Sequence, residues 1–457
     1  MKKLNLKTLG LGLMVLGFAQ LNAQTFPLNP RGEHIQYKKD AKGNRIPDYS
    51  YCGYKNSNVE IPNVPVMVYV SPEEGDNSAQ IQRAINYVAS LKPDANGYRG
   101  AVLLEKGVYT LDHALRITSS GVVLRGADKV ETVLVKRGYD RGAVLYIEGQ
   151  NDYKVTDSLN VVSGYVPVNE TSLQVASASA LKVGDRVMVY RPAEGSWIKS
   201  IKCDVFGGGI GALGWKRGDV DLNWDRTIEE IHGNLITLNA PLSMALDKSD
   251  AKSKVLLYTW SGRIADCGVE NLTMVSDYDK QYAMDENHAW TGVSIDNAEN
   301  CWVRNLDFKQ FAGSAVIVQH HASNVTVEDC MSTNPVSEIA GMRRRTFYTL
   351  GQHTLFQRCY SEHGINDFSA GMAAPGPNAF VQCESKESKG FSGSIGAWAC
   401  GLLFDIVNID GHDLAFTNLG LAKNGAGWNT ANSLFWQCTA AEIKCFSPTE
   451  DAKNYAY

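Results

Sequence analysis

The sequence lacks the short motifs that identify several enzyme classes. It has no G-x-S-x-G nucleophile motif and no glycine-rich phosphate loop, so neither an esterase nor a nucleotide-binding enzyme is supported. None of its ten cysteines belongs to a C-x-x-C pair, and a cysteine zinc site therefore has little support. Charged residues make up only 20% of the chain and the net charge is -5, which argues against a nucleic-acid partner.

Long apolar runs are missing after the amino terminus. No later stretch reaches the roughly 20 apolar residues that a membrane-spanning helix needs. The chain begins with Met1-Lys-Lys, continues with an apolar run over residues 9–18, and reaches Ala23 before Gln24. This pattern is typical of a secretory signal peptide over residues 1–23. The sequence therefore predicts a secreted or periplasmic protein with no membrane attachment once the signal is removed.

What the chain does contain is a short pattern that repeats between residues 267 and 445. Each unit reads apolar, polar, polar and then a small buried-type residue. The units end at Leu272, Leu306, Cys330, Cys359, Cys383 and Cys438. The steps between these residues are 34, 24, 29, 24 and 55 residues, which indicates stacked repeats that bury their apolar faces against one another. Because the runs are rich in β-branched and aromatic residues, the units are predicted to be strands in the coils of a parallel β-helix.

Four cysteines share the last position of the repeat. Cys330, Cys359, Cys383 and Cys438 should therefore stack as an inward-facing ladder. Small apolar side chains suit such a position, and we expect free buried thiols there rather than disulfides.

The remaining segments divide the chain into further parts. Residues 24–65 are polar and read as an amino-terminal arm, and residues 66–159 as the first coils. Within them, the residues after Gly75-Asp-Asn-Ser78 place Ile81, Ile85 and Val88 on one face of an amphipathic helix, which would cap the open end of the coils. In residues 160–260, segments of alternating apolar and polar residues are separated by tight turns. This pattern predicts an antiparallel β insert. Residues 261–457 would form the main coils and a carboxy-terminal cap.

Three phrases in the first coils resemble the pectate-lyase-like superfamily. They are DNSAQIQRAI at residues 76–85, GAVLLEKGVY at residues 100–109 and SGVVLRG at residues 120–126. The resemblance implies an exported, single-stranded, right-handed parallel β-helix, and most characterised members are polysaccharide lyases or glycoside hydrolases. The expected fold is thus all-β: a right-handed parallel β-helix with an amino-terminal capping helix and an antiparallel β insert.

The densest group of charged side chains falls in the predicted loops around residue 350. Arginine can grip carboxylate or sulfate groups with two hydrogen bonds, and a neighbouring histidine or tyrosine can act as a general base or acid. The predicted catalytic residues are Arg344, Arg345, Tyr348, His353, His363 and Asp367. Arg343 is predicted to bind substrate. The alternative is a salt-bridge network along the stack.

Two further groups are predicted to bind substrate. His288 and Trp290 precede one strand, and His320 and His321 end another one repeat later. Trp398 and Trp428 lie in glycine-rich loops, where an exposed indole would provide a platform for a sugar ring. The alternatives are satisfied structural histidines and tryptophans packed under their loops.

The later repeats look like one subgroup of exported, pectate-lyase-like proteins. In that subgroup a His-Arg pair commonly precedes the tryptophan at position 398, whereas this chain reads Ile395-Gly-Ala-Trp398. A histidine of the following glycine-rich loop is replaced by Ala426. These departures favour a protein without catalytic activity.

No metal ligand is assigned, although calcium is weighed at two places. The acidic run Asp219, Asp221, Asn223, Asp225, Thr227 and Glu230 matches the ligand spacing of a calcium loop, but Trp224 stands where that loop needs glycine. The nearest other candidates are Asp277, Asp279 and Asp285.

Three hypotheses for function follow. The first is a secreted polysaccharide lyase that cleaves a uronate-containing glycan by β-elimination, acting as a monomer on an acidic polysaccharide. The second is a glycoside hydrolase, which would need two carboxylates ~5 to 9 Å apart, such as Asp367 with Asp405 or Glu362. The third is a non-catalytic glycan-binding or structural protein.

Overall fold

The structure is a computed structural model that describes residues 28–29, 36–206 and 213–457. The predicted signal peptide lies outside the described residues. The chain forms two compact units, residues 1–38 and 39–457, and in the first of them Leu28–Asn29 pairs antiparallel with Gln36–Tyr37. Within the described part of the chain, no helix combines the length and the apolar character needed to cross a membrane.

The second unit is a parallel β-helix whose coils stack three sheets. The first sheet contains, in stacking order, Val66–Val70, Gly100–Leu104, Val122–Gly126, Gly268–Ser276, Ala298–Lys309, Ser323–Glu328, Thr354–Gln357, Asn378–Val381, Leu402–Asp405, Leu434–Trp436 and Tyr455–Ala456. The second sheet contains Gly107–Leu111, Thr132–Lys136, the ends of the two long strands Gly268–Ser276 and Ala298–Lys309, and then Met331–Thr333, Tyr360–Glu362, Glu384–Lys386, Asn408–Ile409 and Thr439–Ala440.

The third sheet closes each coil. It contains Leu115–Ile117, Ala143–Glu148, Thr291–Asp296, Ser314–Val318, Phe347–Thr349, Phe368–Ala370, Ser392–Ser394, Leu414–Phe416 and Ile443–Cys445. Two short pairings complete the stack: Ile264–Ala265 joins Ala298–Lys309, and Ala399–Cys400 joins Thr430–Ala431. All of these pairings are parallel, as the predicted fold requires.

The repeated sequence pattern marks one corner of every coil. The third residue of each unit adopts a left-handed backbone, with φ of 58° at Asn271, 54° at Asp329 and 52° at Gln382. This single residue turns the chain from the first sheet into the second, so the first and the last residue of each unit can both point inward. Asparagine and aspartate tolerate this conformation better than most residues.

The core consists of side chains stacked at matching positions in successive coils. The rings of Phe356, Phe380 and Phe404 are stacked with centroids 4.9 and 4.8 Å apart. The predicted cysteine ladder is confirmed: Cys330, Cys359 and Cys383 are each 1% exposed, Cys438 is half-buried, and all ten cysteines of the chain are free thiols. In-register stacking therefore holds the coils together without disulfides.

The capping helix covers residues Ser78–Ser90. The Asp76 carboxylate accepts a hydrogen bond from the Ser78 backbone N–H at 2.9 Å, and Ile81, Ile85 and Val88 are fully buried against the first coils. Other helical segments are short: Gly195–Ser200, a kinked turn at Ala422–Gly425, and the 3-10 turns Tyr49–Tyr51 and Tyr54–Ser57.

Residues 49–57 of the arm contact the outside of the first sheet. The Tyr49 hydroxyl donates to the carbonyl of Leu402 at 3.1 Å, and the Tyr54 backbone N–H donates to Thr326 Oγ1 at 2.8 Å. The ring of Tyr54 meets Trp302 edge-on with centroids 5.3 Å apart. This packing covers part of the outer face of the first sheet.

The insert between the strands Ala143–Glu148 and Gly268–Ser276 pairs its described strands antiparallel. Its strands are Lys154–Asn160, Tyr165–Val166, Ser172–Gln174, Arg186–Arg191, Leu222–His232, Leu235–Leu238, Leu246–Asp247 and Lys254–Thr259. One hairpin of the insert turns at Gly233 and Asn234, where Gly233 has a φ of 65°. The insert has its own apolar core, and that core also encloses Trp398 and Cys400 from the coils. The insert is therefore fastened to the corner where the third sheet returns to the first.

Candidate functional site

The three consecutive arginines point in three directions. The Arg343 guanidinium makes a two-pronged ion pair with Glu286, with N–O distances of 2.5 and 2.9 Å. Arg344 is 8% exposed and donates to Ser337, whose hydroxyl lies 3.0 Å and carbonyl 2.6 Å from its nitrogens. Arg345 instead reaches over Tyr348. A left-handed backbone at Arg344, with a φ of 51°, turns the three side chains in different directions. Of the three, Arg345 is the one that remains available to a ligand.

Arg345 and Tyr348 form the first part of a recess on the third sheet. The guanidinium carbon of Arg345 lies 5.3 Å from the centre of the Tyr348 ring, within the range of a cation–π contact. Tyr348 is only 3% exposed. Burial raises its pKa to about 12, although the positive charge of Arg345 acts in the opposite direction. The phenol therefore keeps its proton at neutral pH and can serve as a hydrogen-bond donor.

Lys423 supplies a second positive charge beside Arg345. Its ammonium lies 6.0 Å from the centre of the Phe391 ring, and shielding from water together with repulsion by Arg345 lowers its pKa. Lys423 and Asn424 both have left-handed backbones, with φ of 55° and 63°. No described carboxylate acts on either cation.

Beside Tyr348, the third sheet carries two small residues, Ser369 and Gly393. Tyr348, Ser369 and Gly393 occupy equivalent positions on adjacent strands of the third sheet, and their neighbours Phe347 and Phe368 point into the core, so this column faces outward. The Ser369 hydroxyl and the Asn366 side-chain oxygen are buried and have no hydrogen-bond partner among the described residues. We name the group formed by Arg345, Tyr348, Ser369, Phe391 and Lys423 the cationic recess.

His353 lies away from the recess, at the corner next to the insert. It is 3% exposed, and its Nε2 atom has no hydrogen-bond partner in the described part of the chain. Burial, with the nearby Arg226, holds the pKa of His353 well below its usual value. Its position separates it from Arg345 and Tyr348, so the predicted grouping of these residues does not form.

His363 and Asp367 also lie outside the recess. The His363 ring faces Glu387, with Nδ1 and Oε2 3.4 Å apart. Asp367 is fully buried and accepts hydrogen bonds from the hydroxyls of Ser361 and Ser388. Burial raises the pKa of Asp367. As Asp367 faces the interior, it cannot form the carboxylate pair across a cleft that a glycoside hydrolase would need.

His288 and Trp290 stabilise the loop that precedes the strand Thr291–Asp296. His288 is fully buried; Ser276 Oγ lies 2.7 Å from its Nδ1, and its Nε2 donates to the carbonyl oxygens of Asp285 at 3.0 Å and Val336 at 3.1 Å. The Trp290 indole lies between the guanidinium groups of Arg141 and Arg343, each 5.7 Å from the ring centre. These contacts give both residues a structural role.

The two predicted sugar platforms belong to the core of the insert. Trp398 is fully buried, its Nε1 lies 3.2 Å from the sulfur of Met244, and its ring meets Trp197 with centroids 4.9 Å apart. Trp428 is half-buried and packs against the same cluster. Trp398 therefore has no exposed face on which a sugar could stack.

His320 and His321 line a cleft between the coils and the insert. The cleft has a volume of about 760 Å³ and lies where the chain leaves the coils for the insert and where it returns. His321 Nδ1 lies 3.6 Å from an Asp296 oxygen, and its ring meets Trp260 edge-on with centroids 5.9 Å apart. The enclosed surroundings lower the pKa of His320, and His321 adds to this effect.

Aromatic rings and carboxylates of the insert form the opposite wall. The residues that carry chemistry there are Tyr153, Asp219, Asp221, Asn223, Asp225, Trp260 and Arg263. We name this site the junction cleft. Its volume falls within the range of small-molecule binding sites.

Asp225 is the buried charge behind this wall. Its carboxylate pairs with Arg263 and, at 2.9 Å, with Arg186, and it accepts the Tyr258 hydroxyl at 2.6 Å. Burial alone would raise the pKa of Asp225, but the two arginines outweigh it and lower the pKa to about 2. Asp225 and Arg263 therefore neutralise each other and fix the shape of the cleft.

Two other carboxylates have no such partner. Asp221 accepts hydrogen bonds from the Tyr190 hydroxyl at 2.6 Å and the Ala193 backbone N–H at 2.7 Å. Asp219 is exposed and accepts the Lys216 backbone N–H at 2.8 Å. Neither forms an ion pair within the described ranges, so both leave negative charge in the junction cleft.

The acidic run does not fold as a calcium loop. Most of it lies in the strand Leu222–His232, where Trp224 is buried between Asn223 and Asp225 on the opposite face. The described residues contain no group of three His, Cys, Asp or Glu side chains placed to hold a metal ion. At the second candidate position, Asp285 accepts backbone N–H groups of Asp279 and Asn287. No chemical step is therefore assigned to calcium.

The recess and the cleft are neighbours. Met372 and Ala397 line the junction cleft, while Ile395 packs with Tyr348 in the recess. A side chain at Gly371 would come within 3.3 Å of the Tyr348 hydroxyl and 2.8 Å of the Gly396 nitrogen. A low ridge formed by residues 371–373 and 395–397 is all that separates the two sites.

Several residues of these sites were not identified from the sequence. Lys423 was missed because it lies 75 or more residues from the arginines, in a loop with no charge cluster. Asp219 and Asp221 were noted only for their spacing, and Trp260 and Tyr153 were not noted. A usable signal was the position of Tyr153 and Trp260, which flank the insert where it joins the coils.

Comparisons with known proteins add only distant structural similarities. No protein-family model matches the sequence, and no curated protein matches it. The tailspike protein gp49 from Pseudomonas phage LKA1 is 12% identical with a TM-score of 0.43; the match covers 79% of this chain and 56% of the tailspike. The tailspike of E. coli bacteriophage HK620, solved in complex with a pentasaccharide, is 10% identical with a TM-score of 0.42, covering 89% and 54%.

A proposed glycosyl hydrolase from Parabacteroides merdae is 10% identical with a TM-score of 0.32, and the match covers 75% of this chain and 97% of that protein. The chain spans little more than half the length of the two tailspikes. None of these similarities is strong enough to assign a function.

Proposed function

We propose that this protein is a carbohydrate-active enzyme that cleaves a uronate-containing glycan by β-elimination in the cationic recess. One observation carries the proposal: Arg345 and Lys423 lie together with no described carboxylate to pair with them. Two unpaired cations above a buried phenol and a partnerless hydroxyl, that of Ser369, favour an anionic ligand. The carboxylate of a uronate sugar has the charge and the acceptor geometry that arginine binds best.

The two cations have separate tasks in this reaction. Arg345 would hold the uronate carboxylate and stabilise the negative charge that develops when the neighbouring C–H bond breaks. Lys423 would take that proton, because its lowered pKa makes the neutral amine more accessible than in an ordinary lysine.

Tyr348 would complete the proton transfers. The electron pair of the broken C–H bond forms the C4–C5 double bond, and the C4–O bond to the neighbouring sugar breaks. The departing oxygen takes the proton of the Tyr348 hydroxyl, which is still bound at neutral pH because the pKa is about 12. Exchange with water then returns the proton from Lys423 to Tyr348. His353 and His363, which lie elsewhere, have no part in this scheme.

The test uses uronate polysaccharides from plant, algal and animal sources. The purified protein should produce the ultraviolet absorbance of an unsaturated sugar, and Lys423→Met should abolish it. Lys453→Met is the matched control, since Lys453 pairs with the exposed Glu450 at 3.0 Å. New reducing ends without that absorbance would reject elimination in favour of hydrolysis, and binding without cleavage would indicate a glycan-binding protein.

Export is part of the same proposal. The basic start, apolar run and small residues before Gln24 support secretion or delivery to the periplasm, where an acidic polysaccharide would be met. Sequencing the amino terminus of the exported protein tests this, and a chain that retains Met1 in the cytoplasm would contradict it.

A further inference from the structure

The junction cleft has a charge that the proposed substrate group would avoid. Asp219 and Asp221 have no ion-pair partner among the described residues, and no lysine lines the cleft. Its one arginine, Arg263, is committed to Asp225 and to Ser323 Oγ, which lies 2.5 Å from its nitrogen. A second uronate in this cleft would therefore face uncompensated negative charge.

The same cleft offers groups that suit a neutral sugar. Carboxylate oxygens accept hydrogen bonds from sugar hydroxyls more strongly than neutral acceptors do. Each carboxylate has about four lone-pair sites, so Asp219 and Asp221 keep acceptor sites beside those that their protein donors use. The rings of Tyr153 and Trp260 provide apolar surface, and they meet edge-on with centroids 5.6 Å apart. Asn223 is exposed and points to the same side of its strand as Asp221 and Asp225. Rings with a few convergent polar groups are the usual composition of a small-molecule site.

The position of the cleft relates it to the recess. Only the ridge at residues 371–373 and 395–397 separates the two. Met372 on this ridge is 56% exposed, and both Met372 and Ala373 have left-handed backbones, with φ of 52° and 58°. A chain of linked sugars that crosses the ridge would place one residue in each site.

We propose that the junction cleft is a subsite for an uncharged sugar residue, which binds against Trp260 and Tyr153 and donates its hydroxyls to Asp219 and Asp221. Taken together with the proposed function, on which this step rests, the substrate is a heteropolymer in which a uronate is linked to a neutral sugar. A homopolymer of uronates would fit the recess but not the cleft.

Binding of neutral oligosaccharides tests the subsite independently of cleavage. Isothermal titration with a panel of uncharged hexose and deoxyhexose oligosaccharides should give saturable binding. Trp260→Ala should weaken it about tenfold through the lost ring contact. Tyr139→Ala is the matched aromatic control, because Tyr139 is 83% exposed and remote from the cleft lining. Lys423→Met should leave this binding unchanged.

A second pair of variants tests the charge. Asp219→Asn with Asp221→Asn should raise the affinity for a uronate homopolymer severalfold and lower that for the neutral oligosaccharide. If Trp260→Ala does not fold, Asn223→Ala serves in its place, with a severalfold loss expected. Failure of every neutral oligosaccharide to bind, or unchanged uronate affinity in the double variant, would overturn the subsite, whereas the absorbance assay on uronate homopolymers separately decides the proposed elimination.

Discussion

The cationic recess and the junction cleft lie on two sides of one ridge, yet their charges are opposite. In the recess, Arg345 and Lys423 have no described carboxylate partner. In the cleft, Arg263 is neutralised by Asp225, while Asp219 and Asp221 have no ion-pair partner in the part of the chain that the structure describes. The sign of each site thus depends on which charges the fold leaves without partners. A count of charges along the sequence does not give that information.

Asp225→Asn should have the largest effect, because it would disrupt the wall of the junction cleft while the cationic recess stays intact. The change removes the nearer carboxylate of Arg263, whose side chain is 5% exposed, and leaves it only Glu299 at 3.4 Å. Loss of one member of a buried pair costs about 3–5 kcal/mol. Urea unfolding followed by circular dichroism measures the loss. Asp219→Asn, an exposed change on the same wall, should stay within about 0.5 kcal/mol of the parent. Equal midpoints for the two variants would contradict this account of the wall.

Arg345→Ala should abolish the function of the cationic recess while binding in the junction cleft is kept. Removing a charge that stabilises the developing anion commonly lowers turnover by about 100-fold or more, while neutral oligosaccharides should bind the cleft as before. Arg358→Ala is the control: its guanidinium pairs with Asp329 at 2.7 Å at a different corner. Turnover of the two variants on a uronate polysaccharide is compared. A similarly small loss of turnover in both variants would show that Arg345 takes no part in the reaction.

Acid should affect the cleft wall before it affects the recess. Since the pKa of Asp225 is lowered from 3.8 to about 2, its ion pairs stabilise the fold fully above pH about 4, and this contribution is lost as the pH falls towards 2. A depression of this size corresponds to about 2 kcal/mol. Unfolding free energies measured between pH 5 and 2 should fall for the parent and change less for Asp225→Asn. Parallel curves would contradict this assignment.

The pH dependence of turnover should sharpen the role of the recess. As the free amine of Lys423 is the proposed base, the rate should rise with pH and reach its midpoint below the usual lysine value, in the direction of the lowered pKa. Removing the repulsion from Arg345 should move that midpoint upward. The Arg345→Gln profile, compared with that of the parent, tests the shift. A midpoint that does not move would mean that the two cations do not interact.

Tyr190→Phe should give the smallest effect, confined to the cleft. It removes the hydroxyl that donates to Asp221 at 2.6 Å, at a cost of about 1 kcal/mol. Asp221 then has one acceptor site more for a sugar hydroxyl, so affinity for neutral oligosaccharides should change severalfold at most. Turnover in the recess should stay the same, and a loss of turnover would show that the two sites are not independent.

The coils were predictable because their signal repeats. The pattern that ends at Cys330, Cys359 and Cys383 encodes a buried residue, a left-handed corner and a second buried residue in every turn. The antiparallel insert was predictable from its alternation and from the turn at Gly233 and Asn234. Each of these features is local, and stacking multiplies it.

The sites were less predictable because they depend on contacts between distant loops. Arg345 and Tyr348 were identified from their local cluster, but no local feature shows that Arg343 would be neutralised by Glu286, 57 residues away. Trp398 read as a loop tryptophan, and the core of the insert encloses it. The proximity of Lys423 to Arg345 depends on how the coils stack, which no local sequence feature shows.

The ladder of free thiols provides a way to follow the unfolding of the β-helix. Because the sulfurs of Cys330, Cys359 and Cys383 are enclosed by neighbouring coils, an alkylating reagent can reach them only after a coil has unfolded. Cys438 and Cys445 near the carboxy terminus are half-buried, whereas Cys330, Cys359 and Cys383 are closed off. The order in which mass spectrometry finds these sulfurs modified would therefore record the sequence of uncoiling, turn by turn, without any added label.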